Sequence, residues 1–137
     1  MKIVDVVRNL PALLSALLVS ILFLQSGLDK VFDRSGNLEW LTGHFSKTFL
    51  APLVPLLLAT ITIMEFAAGL LCAAGIVYFL LTFSAVLIFA GSVTGAFAIT
   101  ALFFGQRIAK DYAGAAILIP YFILIIILMY LTNPYLT

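Results

Sequence analysis

Charge is the scarcest commodity in this 137-residue chain: Asp, Glu, Lys and Arg make up 9% of it against 64% hydrophobic residues, with a mean hydropathy of +1.24. Soluble domains carry about a quarter charged residues, so a chain this poor in charge cannot cover its own surface in water. A buried-helix soluble protein would still need polar helix faces, and they are absent. Cysteine and histidine each occur once. A lone Cys72 excludes an intramolecular disulfide and a Cys-x-x-Cys redox pair, and reads as a small apolar packing residue. A lone His44, in a loop, excludes a two-histidine haem site within one chain. No cluster of His, Cys and carboxylate has metal-ligand spacing, so no metal is expected. No Gly-rich fingerprint follows a strand, which leaves a dinucleotide site unsupported. Any electron transfer would therefore need a bound organic molecule such as a quinone, or a partner subunit. No covalent cofactor and no nucleic-acid partner are expected.

What the chain has in abundance is uncharged length. Residues 9–28, 48–64, 66–106 and 112–137 contain no Asp, Glu, Lys or Arg. A membrane-spanning helix needs roughly 20 mostly apolar residues, and the run 66–106 is too long for one span. Its break is expected near Ala74-Gly75, with Gly75 supplying a tight turn between antiparallel neighbours. The spacing predicts spans at about 9–28, 53–74, 77–103 and 112–131 within one transmembrane domain, 1–137. The fold class is all-α: an integral membrane four-helix antiparallel bundle. Asn9 can cap the first helix, with Pro11 just inside it. Pro52 and Pro55 open the second, Pro120 lies inside the fourth, and Asn133-Pro134 stops it. Gly91-Ser-Val-Thr-Gly95 is a small-xxx-small packing motif. Lys2, Arg8 and the apolar stretch 11–24 resemble a signal peptide. The run continues to Leu28, however, and ends in Gln-Ser-Gly-Leu-Asp-Lys without a small-x-small cleavage pattern, so it is read as a first span.

The one substantial loop, DRSGNLEWLTGHFSKTF, contains a turn signal at Ser35-Gly36-Asn37. Leu38, Leu41, Phe45 and Phe49 then recur at helical spacing beside Trp40. A short amphipathic interfacial helix between spans one and two follows, placed to lid the open end of the bundle or simply to anchor it.

Glu65 stands alone among residues that favour hydrocarbon. Counted at about 1.5 Å per residue from the expected span ends, it falls near mid-depth of a ~30 Å apolar core. Ionisable groups within spans are costly and usually line pathways or sites. Asp29, Lys30, Arg107, Lys110 and Asp111 converge at the rim on the loop face, and Gln25, Ser26 and Asp29 form a polar stripe descending from it. Ser84 and Tyr121 fall near the depth of Glu65 and could donate to it. Direct pairing with Lys30 or Arg107 looks geometrically awkward, so the expectation is a protonated or water-bridged carboxyl facing the bundle interior below a charged vestibule. The plainer reading is an interhelical hydrogen bond that fixes packing. The candidate ligand-binding set is Glu65, Gln25, Asp29, Lys30, Arg107, Lys110, Asp111 and Tyr121. Two Lys and Arg lie on the terminal side and five on the loop side. The positive-inside rule would put the loops in the cytoplasm, though vestibule roles for Lys30, Arg107 and Lys110 dilute that count.

FLQSGLDKVFD at the end of the first span, MEFAAGLLCAAG in the second and FFGQRIAKDYAGA leading into the fourth resemble the DoxX-like family of small bacterial membrane proteins. The shared pattern is Gly27 and Lys30, then Glu65, Gly69 and Gly75, then Asp111, and it spans nearly the whole chain through four helices in the same order. Ala68 stands where many members have Gly, and Lys-Asp-Tyr-Ala-Gly replaces the more usual Ser-Leu-Asp. The resemblance implies a four-helix bundle in the bacterial inner membrane. It also implies association with redox chemistry, since the family is named for a subunit associated with thiosulfate:quinone oxidoreductase and other members are linked with oxidative-stress proteins. Most members have no established activity. The wider superfamily includes sterol isomerase and ligand-binding relatives that hold an apolar ligand beside buried acids. Two function classes follow. One is a bundle that binds a lipophilic, quinone-like molecule beside Glu65. The other is a non-catalytic scaffold that assembles partner proteins or copies of itself in the membrane.

Overall fold

The computed structural model describes residues 3–136. A short helix α1 (Ile3–Arg8) leads into α2 (Leu10–Phe32), followed by α3 (Arg34–His44), a 3₁₀ turn at Ala51–Leu53, α4 (Val54–Thr82), α5 (Val86–Ile108) and α6 (Tyr112–Thr132). No strand occurs among the described residues. Helices α2, α4 with its 3₁₀ lead-in, α5 and α6 are each long and apolar enough to cross a membrane, and the architecture is an all-α four-helix bundle. Leu17, Ile21, Leu56, Ile63, Phe97 and Ile123 are all exposed on its outside, a surface suited to lipid.

Around the bundle, α2 packs on α4, α4 on α5 and α5 on α6, while α6 meets α2 through a thinner contact. Small residues set these approaches. A Cβ on Gly69 would meet Leu24 Cγ at 2.7 Å and the Leu24 backbone nitrogen at 3.0 Å, and Ser20 Oγ donates to the Gly69 carbonyl at 3.2 Å. The Gly91/Gly95 pair works on two neighbours at once: Gly91 faces the backbone of Cys72 on α4, and Gly95 faces the Phe23 ring on α2. Cys72 is fully buried in that contact, as its packing role requires.

The turn between the second and third spans is not at Gly75. Helix α4 runs straight through it to Thr82, and the chain reverses at Phe83-Ser84-Ala85. A break at Gly75 would have left backbone groups without partners among apolar residues, which hydrocarbon does not tolerate. At the true turn the hydroxyls supply partners: Thr82 Oγ1 accepts from the Ser84 N–H at 3.2 Å and Ser84 Oγ from the Val86 N–H at 3.4 Å. Phe83 takes the left-handed conformation, φ 61°. Spans two and three therefore end and begin about two helical turns later than the sequence predicts. Asn9 does not cap α2 either; its side chain donates to the Asp5 carbonyl at 2.7 Å and closes α1 instead.

On the loop face, Phe45, Leu50 and Val54 form a small second core with Leu38, Leu41 and Ile108. It ties α3 and the connector to the end of α5. Phe49, expected on the same apolar stripe, lies beyond the helix and is exposed.

Candidate functional site

Helix α2 runs toward the loop face, and side chains on a helix lean toward its N-terminus. Lys30, in its last turn, therefore points back down the bundle rather than out to the rim. Its Nζ donates to Ser26 Oγ, one turn earlier, at 2.8 Å. Ser26 Oγ in turn donates to Glu65 Oε2 at 2.7 Å, and Lys30 Nζ lies 2.9 Å from Glu65 Oε1. The close α2–α4 approach at Gly69 and at Gly27, where the Phe66 ring packs, brings these three groups within bonding distance. The side chains of Lys30 and Glu65 are 16% and 3% exposed, so the pair is held largely away from solvent. No donor among the described residues is aligned on Oε1; the ammonium charge alone balances it. Gly27, Lys30, Glu65 and Gly69 thus meet in one place.

That geometry corrects the expectation of a protonated or water-bridged Glu65 out of reach of Lys30. With α4 running on to Thr82, Glu65 lies nearer the loop-face end than the middle of its helix, and Lys30 leans back along α2 far enough to reach it. Glu65 sits level with Ser26, six residues before α2 ends at Phe32, roughly 9 Å along the helix. Ser84 lies in the turn on the far face and Tyr121 is exposed on α6, so neither donates to Glu65.

Beside the pair is an apolar cavity of about 350 Å³. Helix α3 contributes Trp40 and Leu41 to it, α4 contributes Leu58, Ile61 and Met64, and α5 contributes Leu102. Lys30 is the only ionisable side chain among the described residues of its wall, while Glu65 stands behind it and does not line the space. Leu57 and Thr60 on α4 and Ala101 and Phe104 on α5 line the cavity and are also exposed. The opening therefore runs sideways between α4 and α5 and reaches Trp40 on α3, which is also exposed.

The remaining candidates lie elsewhere. Gln25 and Asp29 are exposed on α2, with Asn37 Nδ2 donating to Asp29 Oδ2 at 3.4 Å. Arg107 stacks over the Tyr112 ring at 4.4 Å, and Lys110, at φ 61°, is exposed in the turn before α6. Asp111 caps α6, its Oδ1 accepting from the Gly114 N–H at 2.9 Å. Its other oxygen lies 3.7 Å from His44 Nε2, which is 2.7 Å from Gln106 Oε1. His44 also stacks on Trp40 with ring centroids 4.3 Å apart. A polar seam thus runs from the α6 cap to the cavity wall, where both Gln106 and Trp40 appear. Sequence reasoning passed over Gln106, Asn37 and Trp40 as cavity residues. The usable signal for the pair was the Ser26–Lys30 spacing of four on one helix face. Replacing Asp111 by alanine removes the cap and is expected to cost about 1 kcal/mol, readable as a lowered thermal midpoint in detergent.

No protein-family model, no curated protein and no solved structure matches this chain.

Proposed function

We propose that the chain is a multi-pass protein of the bacterial inner membrane that holds a lipophilic, quinone-like molecule in the cavity between α3, α4 and α5. The proposal takes it to be a DoxX-like, redox-associated subunit; that part rests on the quoted motifs alone. The observation that carries the ligand reading is a charge-balanced ammonium, Lys30, presented on the wall of a mostly apolar, otherwise uncharged cavity that opens sideways. Small-molecule sites are commonly apolar spaces of about 300–1,000 Å³ with a few placed polar groups, and this one fits near the lower end. An opening between two spanning helices suits a ligand dissolved in the bilayer.

The chain carries its own reporter, because Trp40 is its one tryptophan and lines the cavity. A decyl-substituted benzoquinone titrated into protein reconstituted in nanodiscs is expected to quench Trp40 saturably. Lys30→Met, which removes the donor, should weaken that binding at least tenfold, about 1.4 kcal/mol. Lys47→Ala, an exposed connector residue, should leave it unchanged. Equal affinities across all three proteins would remove the ligand reading and leave the scaffold.

A further inference from the structure

We infer that the cavity is built for a neutral hydrogen-bond acceptor, and that Glu65 is the residue that turns carboxylate amphiphiles away. This rests on the ligand reading above and adds the chemical class of the occupant's polar end. An ammonium on the wall of a mostly apolar cavity would, by itself, be a receptor for a fatty-acid anion. Here its charge is already matched by Glu65 Oε1 at 2.9 Å. A second carboxylate brought to Lys30 would stand close to the first, and two like charges in a poorly solvated site oppose each other. Its lost hydration would go uncompensated, since breaking or crowding a buried pair leaves a net charge there.

A carbonyl oxygen of a quinone, ketone or ester has no such difficulty. It needs one donor, and the ammonium has three N–H groups. One goes to Ser26 Oγ and none is aligned on Glu65 Oε1, which leaves at least one for the cavity. The other polar groups on the wall, including Asn37, Thr60 and Gln106, are uncharged. Three of the rim charges are engaged elsewhere: Asp29 with Asn37, Asp111 with the α6 cap and His44, Arg107 with Tyr112.

The test is a competition between two acyl chains of equal length, laurate and methyl laurate, each displacing the quinone quencher from Trp40. The full chain is used in zwitterionic nanodiscs in mildly alkaline buffer, with concentrations expressed per lipid to remove partitioning. In the wild-type chain methyl laurate should displace at a tenfold or more lower concentration than laurate. Glu65→Gln keeps the shape and leaves the ammonium unbalanced, so the preference should shift at least tenfold toward laurate. The double variant Lys30→Gln/Glu65→Gln, with both charges gone, should restore the preference for the ester. A further arm needs no variant to fold: dodecylammonium should compete as poorly as laurate with the wild-type chain, because either ion would unbalance the site. Laurate matching the ester in the wild-type chain, or an unchanged ratio in Glu65→Gln, overturns the inference while leaving a lipophile site in place. Quenching that never saturates in the wild-type chain sinks the site itself.

Discussion

Glu65→Leu is expected to destabilise the protein by about 3–5 kcal/mol, because removing one partner of a buried ion pair leaves the other charge unmatched. The stranded group would be Lys30, 16% exposed and directed down the bundle toward Ser26. Its remaining contact is a hydroxyl that has just lost its own acceptor. Replacing both members, as in Lys30→Met/Glu65→Leu, should recover most of the loss, since apolar residues of similar volume in place of a buried pair are often neutral or stabilising. Denaturant unfolding in mixed micelles, followed by Trp40 fluorescence and by helical circular dichroism, measures both variants against the wild-type chain. The sign pattern is the content of the prediction: one large single-variant loss, one near-neutral double. A harmless Glu65→Leu would mean that Lys30 is well solvated, and the charge-balance argument for the cavity would go with it.

Much of this site was legible in the sequence, and what was missed has a definite cause. Glu65 declared itself, since one carboxyl in a long uncharged stretch has few neutral explanations. Lys30 and Ser26, near the loop-face end of the first span, were also visible. The pairing was not, because depth alone says nothing of direction. A lysine in the last turn of a helix leans back along it, whereas the same residue in a first turn leans outward. The candidate set drawn from rim charges was accordingly too wide. Asp29, Arg107, Lys110 and Asp111 cluster in sequence near helix ends, yet each finds a local partner or remains exposed at the rim. The cavity was illegible for a different reason. Its wall combines α3, α4 and α5 through ordinary apolar residues, and nothing in their spacing distinguishes a lining position from a packed one.

The fold shows the same division between what composition dictates and what only packing decides. Four apolar helices follow from run length, since few other structures satisfy their own backbone in hydrocarbon. The place where α4 ends does not follow from glycine. Gly75 reads in the sequence as punctuation, but the hydroxyls of Thr82 and Ser84 mark the turn, and Gly75 is a packing residue facing α5. A Cβ there would meet the Ile88 backbone nitrogen at 2.7 Å and its Cα at 3.1 Å. Backbone atoms cannot rotate aside as a flexible side-chain end can.

Gly75→Leu should therefore push α4 and α5 apart and cost about 3 kcal/mol, the upper end of the usual range for overpacking. Gly75→Ala should destabilise in the same direction by less, despite alanine's advantage of about 1 kcal/mol in a helix interior. The contrast with a loop glycine makes the result decisive. A tight-turn glycine at positive φ would instead be strained alike by alanine and leucine, whatever the side-chain volume. Thermal unfolding of the two variants thus separates the arrangements by how the loss grows with size. A midpoint that falls further for leucine than for alanine fixes Gly75 as the point where two spanning helices touch backbone to backbone; equal falls would return the turn to 74–76 and shift the register of the third span against the pair of charges on the other two.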